Sequence, residues 1–386
     1  MPRSAEMPTF VLARQKGHDR NPVGVTLPLT PVPLDPLPKT PLVSILISNY
    51  NYAPFLPEAI ESCLRQTYPH LEIVVCDDGS TDGSQRILEC YHSLDARIKP
   101  IYQANGGQSL ALNAALRNST GEIICLLDGD DVFLPEKVEL VVKAFAADSC
   151  SGFAVNRMRL VDKTRKYLGP IPSLYDLPSG WRGAFLSAEG PHILLGLPPT
   201  SGLSLRRLAA EAIFPLPAGL KIYSDSLIQV LAPLATSIVA VETPLSEYRV
   251  HGNNLAGVSR FTETRLRNIA TYEREIWNAW RRYLASPRSG LPPDFPLPTS
   301  ATSLMEYAYA RFRSDKNSKA VYQAVPGSCI QALPPPHQLY WKVSPTLPDW
   351  LFRKSFDFVY GQTRLKIITR RLLDEAQRLA VVGRRD

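Results

Sequence analysis

Ile123-Ile124-Cys125-Leu126-Leu127-Asp128-Gly129-Asp130-Asp131 decides the fold of this chain. Five apolar residues in succession predict a strand buried on both faces of a sheet. The run ends in three carboxylates within four residues, and Gly129 lets the backbone turn among them. Pro135 then stands where a first helical turn begins, ahead of Glu136-Lys137-Val138-Glu139-Leu140. Acids are thereby set at the carboxyl end of a central strand, where open α/β sheets hold their ligands. Carboxylates this close repel one another, and a hard divalent cation shared with phosphates relieves that repulsion. An acidic turn capping the next helix explains the same residues equally well. A calcium loop does not, because Phe133 stands where that loop requires glycine.

Working outward, the same pattern repeats upstream. A strand over 42–48 ends in Asn49-Tyr50-Asn51-Tyr52, and a helix over 54–66 follows. A second strand over 71–76 runs into Asp77-Asp78-Gly79-Ser80-Thr81-Asp82, followed by a helix to about residue 91. A short strand over 98–102 leads through Asn105-Gly106-Gly107 to a helix over 108–117. Strand and helix alternating at short spacing are the signature of a parallel sheet covered on both faces. Parallel strands put their carboxyl ends on one edge, so the polar clusters after three of them should converge.

Bulk composition narrows the class. At 386 residues with 45% hydrophobic and 20% charged residues, the chain is globular and long enough for one large domain plus an appendage. A formal charge of +7 suits an anionic substrate or membrane surface but is too weak to argue nucleic-acid binding. Six cysteines without a CxxC pairing predict buried thiols in a reducing compartment, not a disulfide frame or zinc site. No apolar run is long enough to span a bilayer and no leader pattern opens the chain, so the expectation is a cytoplasmic protein, at most attached to the inner face of a membrane.

Taken together, Ser48-Asn49-Tyr50-Asn51, Asp77-Asp78-Gly79-Ser80-Thr81-Asp82, Asn105-Gly106-Gly107 with Asn113, and Asp128-Gly129-Asp130-Asp131 closely resemble family 2 glycosyltransferases of the GT-A fold. The resemblance covers about 41–260. It implies an α/β, Rossmann-like, mostly parallel sheet with helices on both faces. It further implies a nucleotide-sugar donor (UDP-, GDP- or dTDP-linked), a Mg²⁺ or Mn²⁺ ion, and inversion at the anomeric carbon. The acceptor it implies is a glycan or lipid-linked hydroxyl.

Carried over residue by residue, the resemblance assigns donor binding to Ser48, Asn49, Asn51, Asp77, Asp78, Asn105, Gly107, Asp128 and Arg249. Asp77 and Asp78 also suit an Asx-type turn that serves only its own backbone. Asp130 is the first candidate metal ligand, with Asp131 pointing at the metal or capping the helix. His251 completes the metal shell, or is structural. After a strand-like run over 200–207, Ile222-Tyr223-Ser224-Asp225 matches the element that carries the general base, Asp225. Family members usually place Glu before that Asp, and Ser224 replaces it here.

The remainder is less regular. Residues 1–40 become proline-dense and read as a disordered or polyproline-like leader. Residues 163–199 form an irregular insert in which Trp181, with Tyr175 and Phe185, suits stacking on a sugar or packing under a loop. Residues 261–386 read as a mainly helical extension. Its last helix, over 363–382, is basic and amphipathic, so peripheral contact with anionic lipid is a further expectation. Two competing functions remain. A nucleotidyltransferase would need a basic glycine-rich loop after the first strand, which Asn49-Tyr50-Asn51-Tyr52-Ala53 does not supply. A non-catalytic nucleotide-sugar-binding scaffold is made conceivable by Ser224 and the insert.

Overall fold

A computed structural model describes residues 29–171, 177–183, 197–251, 261–291, 303–325, 327, 330 and 335–360. The described residues fall into two compact units. Residues up to 251, with 272–291, build a sheet unit, and 261–271 with the residues from 303 onward build a helical one. The helical extension expected from residue 261 thus cedes 272–291 to the sheet unit.

The sheet unit opens as β1 (Val43–Asn49), α1 (Leu56–Leu64), β2 (Leu71–Asp77), α2 (Ser84–Leu94), β3 (Ile98–Tyr102), α3 (Gln108–Arg117) and β4 (Ile123–Asp128). It continues with β5 (Val132–Phe133), α4 (Lys137–Ala147), β6 (Ser151–Asp162), β7 (Tyr167–Pro170) and β8 (Leu203–Arg206). α5 (Arg207–Ile213), α6 (Ser224–Ala235), β9 (Ser237–Val250) and α7 (Glu263–Leu284) follow, the last beginning in the helical unit.

Among the described residues the strands form one sheet in the order β3-β2-β1-β4-β8-β6-β9-β5, with β7 paired to β6. β1, β2, β3 and β4 run parallel, as the alternation of strand and helix predicts. Antiparallel β8 then joins β4 to β6, so the second half of the sheet is mixed. Every residue of β1 and β2 is buried, because helices cover both faces. The apolar cluster beneath gathers Ile45, Ile47, Ile73, Val75, Cys125 and Leu127 with Leu56, Ile60, Val138 and Phe145 from α1 and α4. Cys63, Cys76 and Cys125 are buried free thiols, whereas Cys90 and Cys150 are exposed ones.

One polar group is built into this core by design of its partners. Glu72, 4% exposed in mid-β2, accepts from Ser44 Oγ at 2.6 Å and from the Thr120 N–H at 2.6 Å, and pairs with Lys99. Burial alone would raise its pKa, but the Lys99, Ser44 and Thr120 hydrogen bonds outweigh it and pull it down to about 2.

Two expectations change. Residues 29–40, expected to be a disordered leader, lack regular structure yet are anchored to the sheet unit. Leu29 is buried, the Val32 N–H donates to the Ala235 carbonyl at 2.7 Å, and Arg206 donates to the Asp35 carbonyl. Proline prevents a ladder here but not the burial of the side chains between prolines. Part of the irregular insert is a strand, since β7 folds back on β6 as a hairpin. Residues 1–28, Tyr175, Phe185 and the basic helix expected over 363–382 lie outside the described residues.

The helical unit packs α8 (Leu304–Phe312), α9 (Ser318–Gln323), α10 (Pro335–Val343) and α11 (Asp349–Tyr360) around Tyr307, Trp341, Phe352 and Phe356. A Ser303–Glu306 capping box starts α8. Among the described residues no helix is long and apolar enough to cross a membrane.

Candidate active site

Strand register does the assembling. β1 pairs Asn49 with Asp77 on one side and Ser48 with Asp128 on the other, so three polar strand ends lie abreast. Asn49 Nδ2 donates to Asp77 Oδ1 at 2.8 Å, and Ser48 Oγ donates to Asp128 Oδ1 at 3.2 Å. The Asn49 Oδ1 atom is buried and has no partner among the described residues. Asp77 also receives the Ser80 N–H, the Asx-type turn weighed from sequence. Asn51, in a left-handed conformation at φ 57°, braces that turn by accepting the Thr81 N–H at 2.8 Å.

Asp78 turns to the next loop. Its carboxylate accepts the N–H groups of Gly106 at 2.8 Å and Gly107 at 2.7 Å, along with Gln103 Nε2. Gly107, at φ +91°, must be glycine, because a Cβ there would lie 2.4 Å from Lys221 Cα. Asn105 is exposed at the lip of this loop.

At the end of β4 the acids divide. Asp131 is buried, and both its oxygens are engaged by the protein. Oδ2 accepts Ser201 Oγ at 2.6 Å and Oδ1 accepts the Arg249 N–H at 2.9 Å. Asp130 faces the other way: its Oδ2 lies 2.9 Å from His251 Nε2, and it accepts from the Tyr52 hydroxyl. Tyr52 and Phe55 flank the His251 ring at 5.6 and 4.4 Å. His251 reaches this place because β9 runs antiparallel to β5, in the register Val132–Glu247 and Phe133–Ser246.

The resemblance assigns Arg249 to donor binding. Its guanidinium is instead 1% exposed, stacks over Phe55 at 4.9 Å, pairs with Glu58 at 3.1 Å and donates to the Asp130 carbonyl at 2.7 Å. That geometry holds the acidic turn in place from behind. Glu58 and Tyr52, both in or before α1, are functional neighbours that the sequence pattern did not single out.

Asp225 sits in the first turn of α6, after Tyr223 in a left-handed conformation at φ 66°. Its carboxylate accepts the Ser226 N–H at 2.8 Å and the Thr200 N–H. Ser224 is buried with its Oγ 2.7 Å from Ser109 Oγ. Gln108, which was read only as a helix former, is the residue sequence reasoning missed. Its Nε2 donates to Asp128 Oδ1 at 2.8 Å and to Thr200 Oγ1 at 3.2 Å. Its position directly after Gly107 was the available signal.

Electrostatics show that these carboxylates share one environment. Burial, then the charges of Asp130 and Asp225, raise the Asp128 pKa to about 7. Burial, then the charges of Asp130 and Asp128, hold Asp131 well above the ordinary range, and burial raises Asp225. A divalent cation would relieve the repulsion in such a cluster. Asp130 and His251 supply a hard oxygen and an imidazole, and the Asp128 carboxylate lies beside them. Among the described residues no three acidic, His or Cys side chains are already drawn together as a closed ligand set.

Comparison with known proteins agrees with this architecture. A family model, "Glycosyl transferase family 2", matches residues 44–195, the stretch that builds β1 to β7. The uncharacterized glycosyltransferase alr2836 of Nostoc sp. is 34% identical over 241 residues, covering 60% of this chain and 72% of that protein. The chondroitin synthase of Escherichia coli is 39% identical over 127 residues, 33% of this chain but only 18% of its own length. Among solved structures, S. aureus TarS residues 1–349 in complex with UDP-GlcNAc superposes with a TM-score of 0.55 at 17% identity, over 84% of this chain and 93% of that one, and so shares the fold. The coverage of the Nostoc relative, together with a family match over the strands whose ends carry these acids, shows that the chain belongs to glycosyl transferase family 2 and is a glycosyltransferase.

Proposed function

We propose that the chain transfers a sugar from a nucleoside-diphosphate donor, of the UDP-sugar type, to an acceptor hydroxyl with inversion at the anomeric carbon. The observation carrying this reading is that strand register sets Asn49 beside Asp77 and Ser48 beside Asp128, while Gln108 bonds both Asp128 and the Ser224 N–H that precedes Asp225. That arrangement supports a single centre for donor, metal and base. The neighbour TarS was solved with UDP-GlcNAc and with UDP, which supports the donor class. The chondroitin synthase relative supports a glycan acceptor.

In this reading the Asp77 and Asp78 turn and Asn49 face the base and ribose, where carboxylates accept N–H and O–H donors. Asp130 and His251 hold the Mg²⁺ or Mn²⁺, which when bound offsets the charge developing on the departing diphosphate. Asp225 accepts the proton of the acceptor hydroxyl as that oxygen attacks the anomeric carbon and the bond to the diphosphate breaks. Its raised pKa makes it a better proton acceptor than a free aspartate. The hydrogen bonds from Ser226 and Thr200 orient the carboxylate and oppose the upward push of burial. Arg249 and Asp131 position the turn on which Asp130 stands. A thermal-shift screen against UDP-, GDP- and dTDP-sugars with Mn²⁺ tests the donor class, with stabilisation by UDP-sugars expected. No stabilisation by any of them contradicts it.

A further inference from the structure

Gln108 uses its whole amide on groups from three separate elements. Nε2 donates to Asp128 Oδ1 at 2.8 Å and Thr200 Oγ1 at 3.2 Å, while Oε1 accepts the Ser224 N–H at 3.3 Å. Its backbone is fixed as well: the Gln108 N–H donates to the Lys221 carbonyl at 3.0 Å. The preceding Gly107 lies so close to Lys221 that no side chain fits between them. Ser109, next along α3, adds the contact to Ser224 Oγ at 2.7 Å. On the far side of the same loop, Asp78 holds the N–H groups of Gly106 and Gly107.

A continuous line of contacts therefore runs from Asp78 through Gly107 and Gln108 to Asp128, and from Gln108 to the first residue of α6, which precedes Asp225. Packing alone does not require an amide there. An uncharged donor and acceptor in one side chain is what is needed to hold a carboxylate on one side and a helix N–H on the other.

We infer that Gln108 is a positioning residue that locks the donor-side carboxylate Asp128 and the base-bearing start of α6 into one frame, so that its loss impairs the transfer step more than donor capture. This rests on the roles proposed above for Asp128 and Asp225. Misplacing a base relative to its substrate by a fraction of an ångström weakens the reaction without removing any contact to the donor.

The test uses the full chain with Mn²⁺. UDP affinity is measured by calorimetry, and turnover as UDP release from UDP-GlcNAc with water as acceptor. Gln108→Leu keeps the side-chain size but loses all three hydrogen bonds. It is expected to lower the rate of UDP release about 10- to 100-fold, as supporting groups around catalytic centres do, with the Kd for UDP within about threefold of wild type. Gln108→Glu keeps the acceptor for Ser224 N–H but sets a second negative charge against Asp128, and is expected to be impaired in the same way. It also serves as the reporter should the leucine variant fail to fold. UDP release unchanged in Gln108→Leu, a parallel loss of UDP affinity and rate, or full activity in Gln108→Glu overturns the inference. A wild-type chain that binds no UDP overturns the donor reading beneath it, a separate and distinguishable result.

Discussion

His251 Nε2 lies 2.9 Å from Asp130 Oδ2, although 121 residues separate the two in sequence. One stands at the end of β9 and the other after β4, and only the antiparallel pairing of β9 with β5 brings them together. The metal role proposed for this pair makes His251 the residue to test.

His251→Ala is therefore expected to weaken metal binding, raising the Mn²⁺ concentration for half-maximal UDP release about 10- to 100-fold. A manganese titration of UDP release from UDP-GlcNAc checks it. An unchanged midpoint would leave His251 a structural neighbour of Asp130.

Asp131, one residue on, should behave differently. Its oxygens satisfy Ser201 Oγ and the Arg249 N–H in the interior, so Asp131→Ala leaves two buried donors without partners. We expect a stability loss of about 2 kcal/mol by chemical denaturation. Wild-type stability in that variant would contradict the bracing role.

Asp225 carries the pH prediction. A general base works only when deprotonated, and burial raises the pKa of this carboxyl above the ordinary aspartate value. The rate at saturating donor should therefore fall on acidification while the pH is still above about 4, where a free aspartate would remain ionised. A rate that stays flat down to about pH 4, with the protein still folded, would contradict the role.

Much of this was legible in the chain. The apolar run ending in Asp128 fixed a central strand, and the alternation of strand and helix upstream fixed parallel neighbours. From those two features the meeting of Ser48, Asn49, Asp77 and Asp128 follows by register alone. Gln108 was not legible, because a polar residue at a helix start has many uses and its partners Asp128, Thr200 and Ser224 are chosen only in three dimensions. The burial of Arg249 was hidden for the same reason: a lone arginine after a strand reads as a phosphate ligand until Glu58 and Phe55 are seen to enclose it. Nor did proline density reveal that 29–40 is anchored, since the holding contacts come from Ala235 and Arg206, far along the chain.

Glu72 links the fold to pH. Its pKa falls from about 4.5 in the unfolded chain to about 2 in the folded one, so the folded state binds fewer protons between those values. The stabilisation is present above about pH 4.5 and is lost as the pH falls toward 2. Because Lys99 is half exposed and screened by solvent, the stabilisation amounts to about 1–2 kcal/mol at neutral pH. Glu72→Gln should lower stability by about that much at pH 7 and by progressively less below pH 4. Urea titrations of both proteins across that range check it, and a difference that does not shrink with acid would contradict the assignment.

The central claim, that one centre at the sheet rim holds donor, metal and base, is tested most directly by measuring UDP affinity and UDP release together in Asp130→Asn and Asp225→Asn. The account predicts Mn²⁺-dependent UDP binding in the wild type, its loss in Asp130→Asn, and its retention in Asp225→Asn with UDP release from UDP-GlcNAc abolished. UDP binding that survives Asp130→Asn unchanged, or normal turnover by Asp225→Asn, would contradict it.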